Sequence, residues 1–140
     1  MKKWYILLFS ILLLLGFVAC GKNSASGMAT DSQAADKAAY QTITQEKAKE
    51  LMDTQEVLIL DVREQSEYDS GHIPNAVLLP VGQIDEKTAE QVIPAKDAVV
   101  LVYCRSGNRS KTAASSLAKL GYTQIYEFGG INSWPYEVER

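Results

Sequence analysis

Apolar residues in this chain fall into short runs separated by helical patterns, after one long apolar stretch near the start. Residues 4–19 are almost entirely apolar. Residues 21–39 then carry no large apolar side chain except Met28. Beyond Tyr40, runs at 57–62, 76–79, 99–103 and 124–128 predict strands. Between them, residues 44–53 predict a helix with Thr44 as its N-cap and Glu46 in the first turn. Residues 64–70 predict one or two helical turns, stopped at Gly71. Residues 84–92 predict a helix with Ile84, Ala89 and Val92 facing inward. Residues 108–120 predict another, with Ala113, Leu117 and Leu120 on one face and Gly121 as the stop. Continuously apolar strands interleaved with helices predict an α/β fold, a mostly parallel central sheet covered on both faces. In such sheets the binding crevice lies beyond the carboxyl ends of the strands. Asp61 to Arg63 and Cys104 to Arg109 fall at those ends.

The apolar stretch at 4–19 follows Lys2 and Lys3. It is short for a membrane span and of the right length for a signal-peptide core. It ends in Phe17-Val18-Ala19-Cys20-Gly21. Small residues before a cysteine resemble the bacterial lipoprotein box, with Phe17 where leucine is usual. The expectation is a signal peptide over 1–19, a palmitate-bearing lipid on Cys20, and a flexible tether over 20–41. A domain over 42–140 would then hang from a bacterial membrane on its extracytoplasmic side. As a coil the tether spans roughly 25 Å. Without residues 1–19 the chain keeps twelve basic residues against 17 acidic, a net charge of −5. That balance argues against nucleic acid or an anionic membrane surface as partner.

The two cysteines then differ in meaning. With lipid on Cys20, Cys104 has no disulfide partner, and a lone thiol in an oxidising compartment is a liability unless it is used. Cys104 sits in Cys104-Arg105-Ser106-Gly107-Asn108-Arg109-Ser110, between a strand and a helix N-terminus. Unpaired backbone N–H groups and the helix dipole favour anions there, and two arginines flank the sulfur. Thiolate is the nucleophilic form. The loop is suited to holding a reactive sulfur and an anion together.

Four segments in order resemble a single-domain rhodanese over residues 42–140. They are Leu60-Asp61-Val62-Arg63-Glu64, the run from Glu67 to Ala76 containing Gly71-His72-Ile73-Pro74, the run from Val102 to Ser110, and Gly129-Gly130-Ile131-Asn132-Ser133-Trp134. Asn75 stands where glycine is common, and asparagine tolerates left-handed geometry. The resemblance implies an α/β sheet of about five strands, with no metal or organic cofactor. It implies that Cys104 carries persulfide sulfur from a donor such as thiosulfate to a cyanide-like or thiol acceptor. Arg105, Ser106, Gly107, Asn108, Arg109 and Ser110 would cradle the terminal sulfur. Gly107 lets the loop curl, Arg109 orients it and adds charge, and Arg105 meets an anionic donor. Ser110 either caps the helix or donates to the anion. Asp61 and Arg63 are expected to pair and brace the loop. His72 is expected in a turn, and Trp134 in packing.

Two other readings compete. Phosphatases and arsenate reductases also set cysteine and arginine at a helix N-terminus, but four residues separate Cys104 from Arg109, one fewer than in related phosphatases. The shorter loop suits one sulfur atom better than a tetrahedral oxyanion. The other reading is a membrane-tethered redox or interaction module without sulfur turnover. A monomer is expected, because no apolar surface stripe is left over.

Overall fold

The four apolar runs become strands of one sheet, joined by a fifth that the pattern does not announce. A computed structural model describes residues 40–140. The signal segment, Cys20 and nearly all of the expected tether lie outside the described residues. The order is β1 (Gln41–Thr42), α1 (Gln45–Thr54), β2 (Leu58–Asp61), α2 (Gln65–Asp69), β3 (Ala76–Leu78), α3 (Glu86–Val92), β4 (Val99–Cys104), α4 (Asn108–Lys119) and β5 (Gln124–Gly130). The strands run β1-β5-β4-β2-β3 across the sheet, and every pairing is parallel. This is the α/β fold the sequence predicts.

Local chemistry sets the element ends. The Thr44 hydroxyl accepts from the Lys47 amide at 3.2 Å and starts α1. Helix α3 begins at Glu86, two residues later than expected. Asp85 caps it by accepting from the Thr88 amide at 2.8 Å, while the Thr88 hydroxyl accepts from the Asp85 amide at 3.0 Å. A reciprocal box of this kind outcompetes an apolar start at Ile84. Asn75 adopts φ +64°, the left-handed geometry its position demands. Strand β1 is short and polar, so no alternation reveals it. It pairs Gln41 and Thr42 with Tyr126 and Glu127. A domain boundary at 42 therefore cuts a strand, and the ordered pairing begins at Gln41.

The strands sort their side chains by parity. Leu60, Val62, Val100, Val102 and Ile125 pack with Ala89 and Ile93 from the α3 side and with Ala113, Ala114 and Leu117 of α4. Ile59, Leu101, Tyr103 and Phe128 face the other way, onto Ala48 of α1, Ile73 and Trp134. Both faces are thus covered. Cys104 shares the parity of Val100 and Val102, so its side chain joins the α4 face. Asp61 and Tyr103 belong to the opposite face. Since β2 and β4 are neighbours, the loops leaving their carboxyl ends lie side by side.

Candidate active site

Cys104 ends β4, and its side chain is only 1% exposed. The chain then turns through exposed Arg105 and Ser106 and enters α4 at Gly107. Gly107 has φ +99°, a geometry that a side chain would strain. The turn brings the Gly107 amide back to donate to Cys104 Sγ at 3.1 Å. The Ser110 hydroxyl lies 3.6 Å from the same sulfur. Burial opposes the thiolate and is the largest single influence. Hydrogen bonds from the Ser110 side chain and from the amides of Ser110, Ser106 and Gly107 together outweigh it, and the thiol is held below its ordinary value.

Ser110 is fully buried at the third position of α4. It is not the N-cap, since Gly107 holds that position without a side-chain bond. Its Oγ lies 2.7 Å from Glu127 Oε1, 3.0 Å from the Gly107 carbonyl and 3.3 Å from the Gly129 carbonyl. With one hydroxyl proton, Ser110 can donate to only one of these groups or the sulfur at a time.

The arginines divide in role. Arg109 directs its fork at Glu67 of α2, with bonds of 2.7 and 2.8 Å. Its charge is therefore largely matched by a carboxylate rather than offered to the sulfur. The Arg109 guanidinium holds the Glu67 carboxyl down to about 2. Asn108 is exposed at the start of α4. Arg105 is exposed, makes no ion pair among the described residues, and borders a shallow cleft of about 420 Å³ with Arg63, Ser66, Ser70 and Asn132.

Asp61 and Arg63 pair, and they do so away from the sulfur. Arg63 Nε and Nη2 donate to the Asp61 carboxylate at 2.9 and 2.6 Å. Arg63 also donates to the Gly71 carbonyl at 2.8 Å. The Tyr103 hydroxyl donates to Asp61 at 2.6 Å and accepts from the Ile73 amide at 3.1 Å. Burial, reinforced by Asp61, keeps the Tyr103 phenol far above its usual value, so it remains a donor. The network ties the ends of β2 and β4 to the turn before β3. His72 stacks on Tyr68 with centroids 3.7 Å apart and bridges to Glu139. Trp134 packs on Phe128.

Two residues beside the sulfur escape sequence reasoning. Glu127 reads there only as part of the run 124–128, yet it is 1% exposed beneath Ser110. An acidic residue between the aromatic Tyr126 and Phe128 was the available signal. Gly130 reads as a strand end and as part of the Gly129-Gly130 segment, with no sign of what it touches. A Cβ built there would lie 2.5 Å from the Arg105 carbonyl carbon and the Ser106 nitrogen, so only glycine lets β5 back the loop. Between Val102↔Glu127 and Cys104↔Gly130 the β4–β5 register shifts, with three steps along β5 opposite two along β4. This bulge brings both residues to the cysteine loop.

The family model described as "Rhodanese-like domain" matches residues 44–136. A sulfurtransferase of Allochromatium vinosum is 41% identical over 88 residues, covering 62% of this chain and 79% of its own. A thiosulfate sulfurtransferase of Coxiella burnetii is 33% identical over 96 residues, covering 68% and 87%. The crystal structure of a rhodanese-related protein from Thermoplasma volcanium superposes with a TM-score of 0.59 at 32% identity, covering 71% of this chain and 98% of that one.

Proposed function

From the premise that this chain belongs to the rhodanese-like family, we propose that it is a sulfurtransferase that carries sulfane sulfur as a persulfide on Cys104. The relatives named above are sulfurtransferases, one of them a thiosulfate sulfurtransferase, which supports thiosulfate as a donor. The observation that carries the reading is the cradle around Sγ: the Gly107 amide at 3.1 Å and the Ser110 hydroxyl at 3.6 Å. These donors favour a sulfur anion in a place where water is excluded.

In the first half-reaction the Cys104 thiolate attacks the outer sulfur of thiosulfate. The S–S bond of the donor breaks, sulfite leaves with the bonding pair, and Cys104–S–S⁻ remains. In the second, a thiolate or cyanide attacks the terminal sulfur and Cys104 leaves as thiolate. Arg105, on the exposed rim, receives the anionic donor. Ser106 and Gly107 contribute loop amides, and Asn108 starts the helix that points its positive end at the sulfur. Arg109 positions α4 through Glu67. Asp61 and Arg63 support the loops from the far face of the sheet.

Intact-mass measurement tests this. After incubation with thiosulfate the reduced chain should gain one sulfur atom, cyanide should remove it, and Cys104→Ser should show no gain. A fully reduced chain that takes up no sulfur from thiosulfate or polysulfide would overturn the persulfide reading. Trapping of partner thiols on Cys104 would then support the redox or docking role.

We also propose that residues 1–19 direct export and that Cys20 carries the lipid, with the tether expected over 20–41 ending where β1 begins at Gln41. The support is the Phe17-to-Gly21 segment and the basic start. Cys20→Ser should abolish palmitate labelling and release the protein from the membrane fraction; a labelled or still membrane-bound variant would count against it.

A further inference from the structure

The mechanism above leaves one buried group without a task. Glu127 Oε1 faces the Ser110 hydroxyl at 2.7 Å and accepts from the Gly129 amide at 2.8 Å. Its second oxygen, Oε2, is buried with no hydrogen-bond partner among the described residues. The Ser110 hydroxyl and the Gly129 amide support the charged form through Oε1, while an oxygen sealed from water without a donor makes that form costly once a second anion appears beside it. Ser110 connects this carboxylate to Cys104, with 3.6 Å on the sulfur side. The geometry is a short chain, sulfur to hydroxyl to carboxyl.

Sulfur loading creates an anion at one end of that chain. A persulfide anion bonded to Sγ and a buried carboxylate two hydrogen bonds from Sγ repel one another, and interacting groups of this kind titrate as a pair. Charges on neighbouring elements are already matched. Arg109 of α4 faces Glu67 of α2, and Asp61 faces Arg63 on the opposite face of the sheet. Arg105 is on the exposed rim.

We infer that Glu127 receives, through Ser110, the proton that Cys104 gives up on becoming a persulfide, so that the buried site holds one negative charge throughout the cycle. This rests on the persulfide reading and deepens it. In loading, the Cys104 S–H proton passes to the Ser110 oxygen as the Ser110 proton passes to Glu127. The donor S–S bond breaks, the S–S bond to Sγ forms, and sulfite leaves with its electron pair. Cys104–SH with ionised Glu127, plus thiosulfate, becomes Cys104–S–S⁻ with neutral Glu127, plus sulfite. When an acceptor thiolate takes the terminal sulfur, Cys104 leaves as thiolate and the proton returns along the same path. Glu127 touches neither donor nor sulfur and acts as a positioning residue through Ser110.

An infrared difference spectrum of the full chain, sulfur-loaded minus reduced, tests this, with loading followed by intact mass. Loading should bring up a protonated-carboxyl band that shifts in heavy water and is absent from Glu127→Gln. If that variant fails to fold, labelling the glutamates with carbon-13 in the unmodified chain assigns the band to the glutamates, where Glu67 is held ionised by Arg109. Alkylation of the reduced thiol against pH gives a second readout. Removing the competing carboxylate should shift the midpoint down by about one pH unit, whereas mere loss of support for the cradle would shift it up. Full sulfur gain without the carboxyl band, or an upward shift in Glu127→Gln, would overturn the inference and leave the persulfide function standing. Failure of thiosulfate to load the unmodified chain counts against the function instead. Polysulfide can then install the persulfide, and the same spectrum still decides.

Discussion

At position 110 one hydroxyl stands within reach of a thiol, a carboxylate and two carbonyls. Ser110→Ala removes the donor that does most to offset burial in lowering the Cys104 thiol. The pH midpoint for alkylation of Cys104 by iodoacetamide should rise, by up to about one unit. While the thiol is protonated and Ser110 donates to Glu127, the same substitution leaves Glu127 Oε1 only the Gly129 amide, and a buried acceptor losing a donor costs about 1–3 kcal/mol, which urea unfolding would register. The sign of the linkage follows from the lowered thiol. Its contribution to stability is present above the unfolded thiol value, about 8.5, and is lost as pH falls through the lower folded one. Residue roles were unevenly legible in the sequence. Cys104, Gly107 and Asn75 announce themselves because a strand-to-helix turn and a left-handed position restrict what can stand there. Glu127 does not, because its partner Ser110 is 17 positions away and only the sheet brings them together.

Helices α2 and α4 are joined at the site by the Arg109–Glu67 fork. Glu67 is held down to about 2, against roughly 4.3 for an unperturbed glutamate. Its contribution is therefore complete above the unfolded value and is lost as pH falls from there toward about 2. Glu67→Gln should lower Tm near neutrality, by an amount equivalent to roughly 1 kcal/mol after solvent screening, and the difference from the unmodified chain should shrink on acidification. Strand β5 supplies the other joint. Gly130→Ala would drive a methyl into the Arg105–Ser106 backbone. We expect it to cut thiosulfate-dependent sulfur uptake at least tenfold and to cost about 1–3 kcal/mol, measured by intact mass and by urea unfolding. The double glycine looks in sequence like the end of a strand, because a close approach by a loop more than twenty residues earlier leaves no periodic trace.

For the molecule as a whole, parity and order do the organising. The order β1-β5-β4-β2-β3 sets β4 between β5 and β2, so the cysteine loop is backed by Gly130 on one side and flanked by the Asp61–Arg63 brace on the other. Strand runs and helix patterns made four of the strands and a parallel sheet readable from the chain, whereas the strand order was not. Strand β1 was not, since two polar residues carry no alternation and owe their conformation to the edge of β5. That edge gives a prediction. A chain beginning at Ile43 should be less stable by about 1–2 kcal/mol than one beginning at Tyr40, from lost edge pairing, as read by urea unfolding. Equal midpoints would show that β1 adds nothing to the sheet.

The depth of Cys104 also sorts visitors by size. The residue is 1% exposed, while a second sulfur bonded to its Sγ would sit about 2 Å further along the bond. Two copies of the chain cannot bring their thiols together without first opening both loops, so accidental dimerisation by oxidation is sterically disfavoured. A small dianion would meet a lower steric barrier at this depth than a folded protein. On the proposed persulfide the carrier atom would stay hidden while the cargo atom stood further out, and access would be granted by a single bond length.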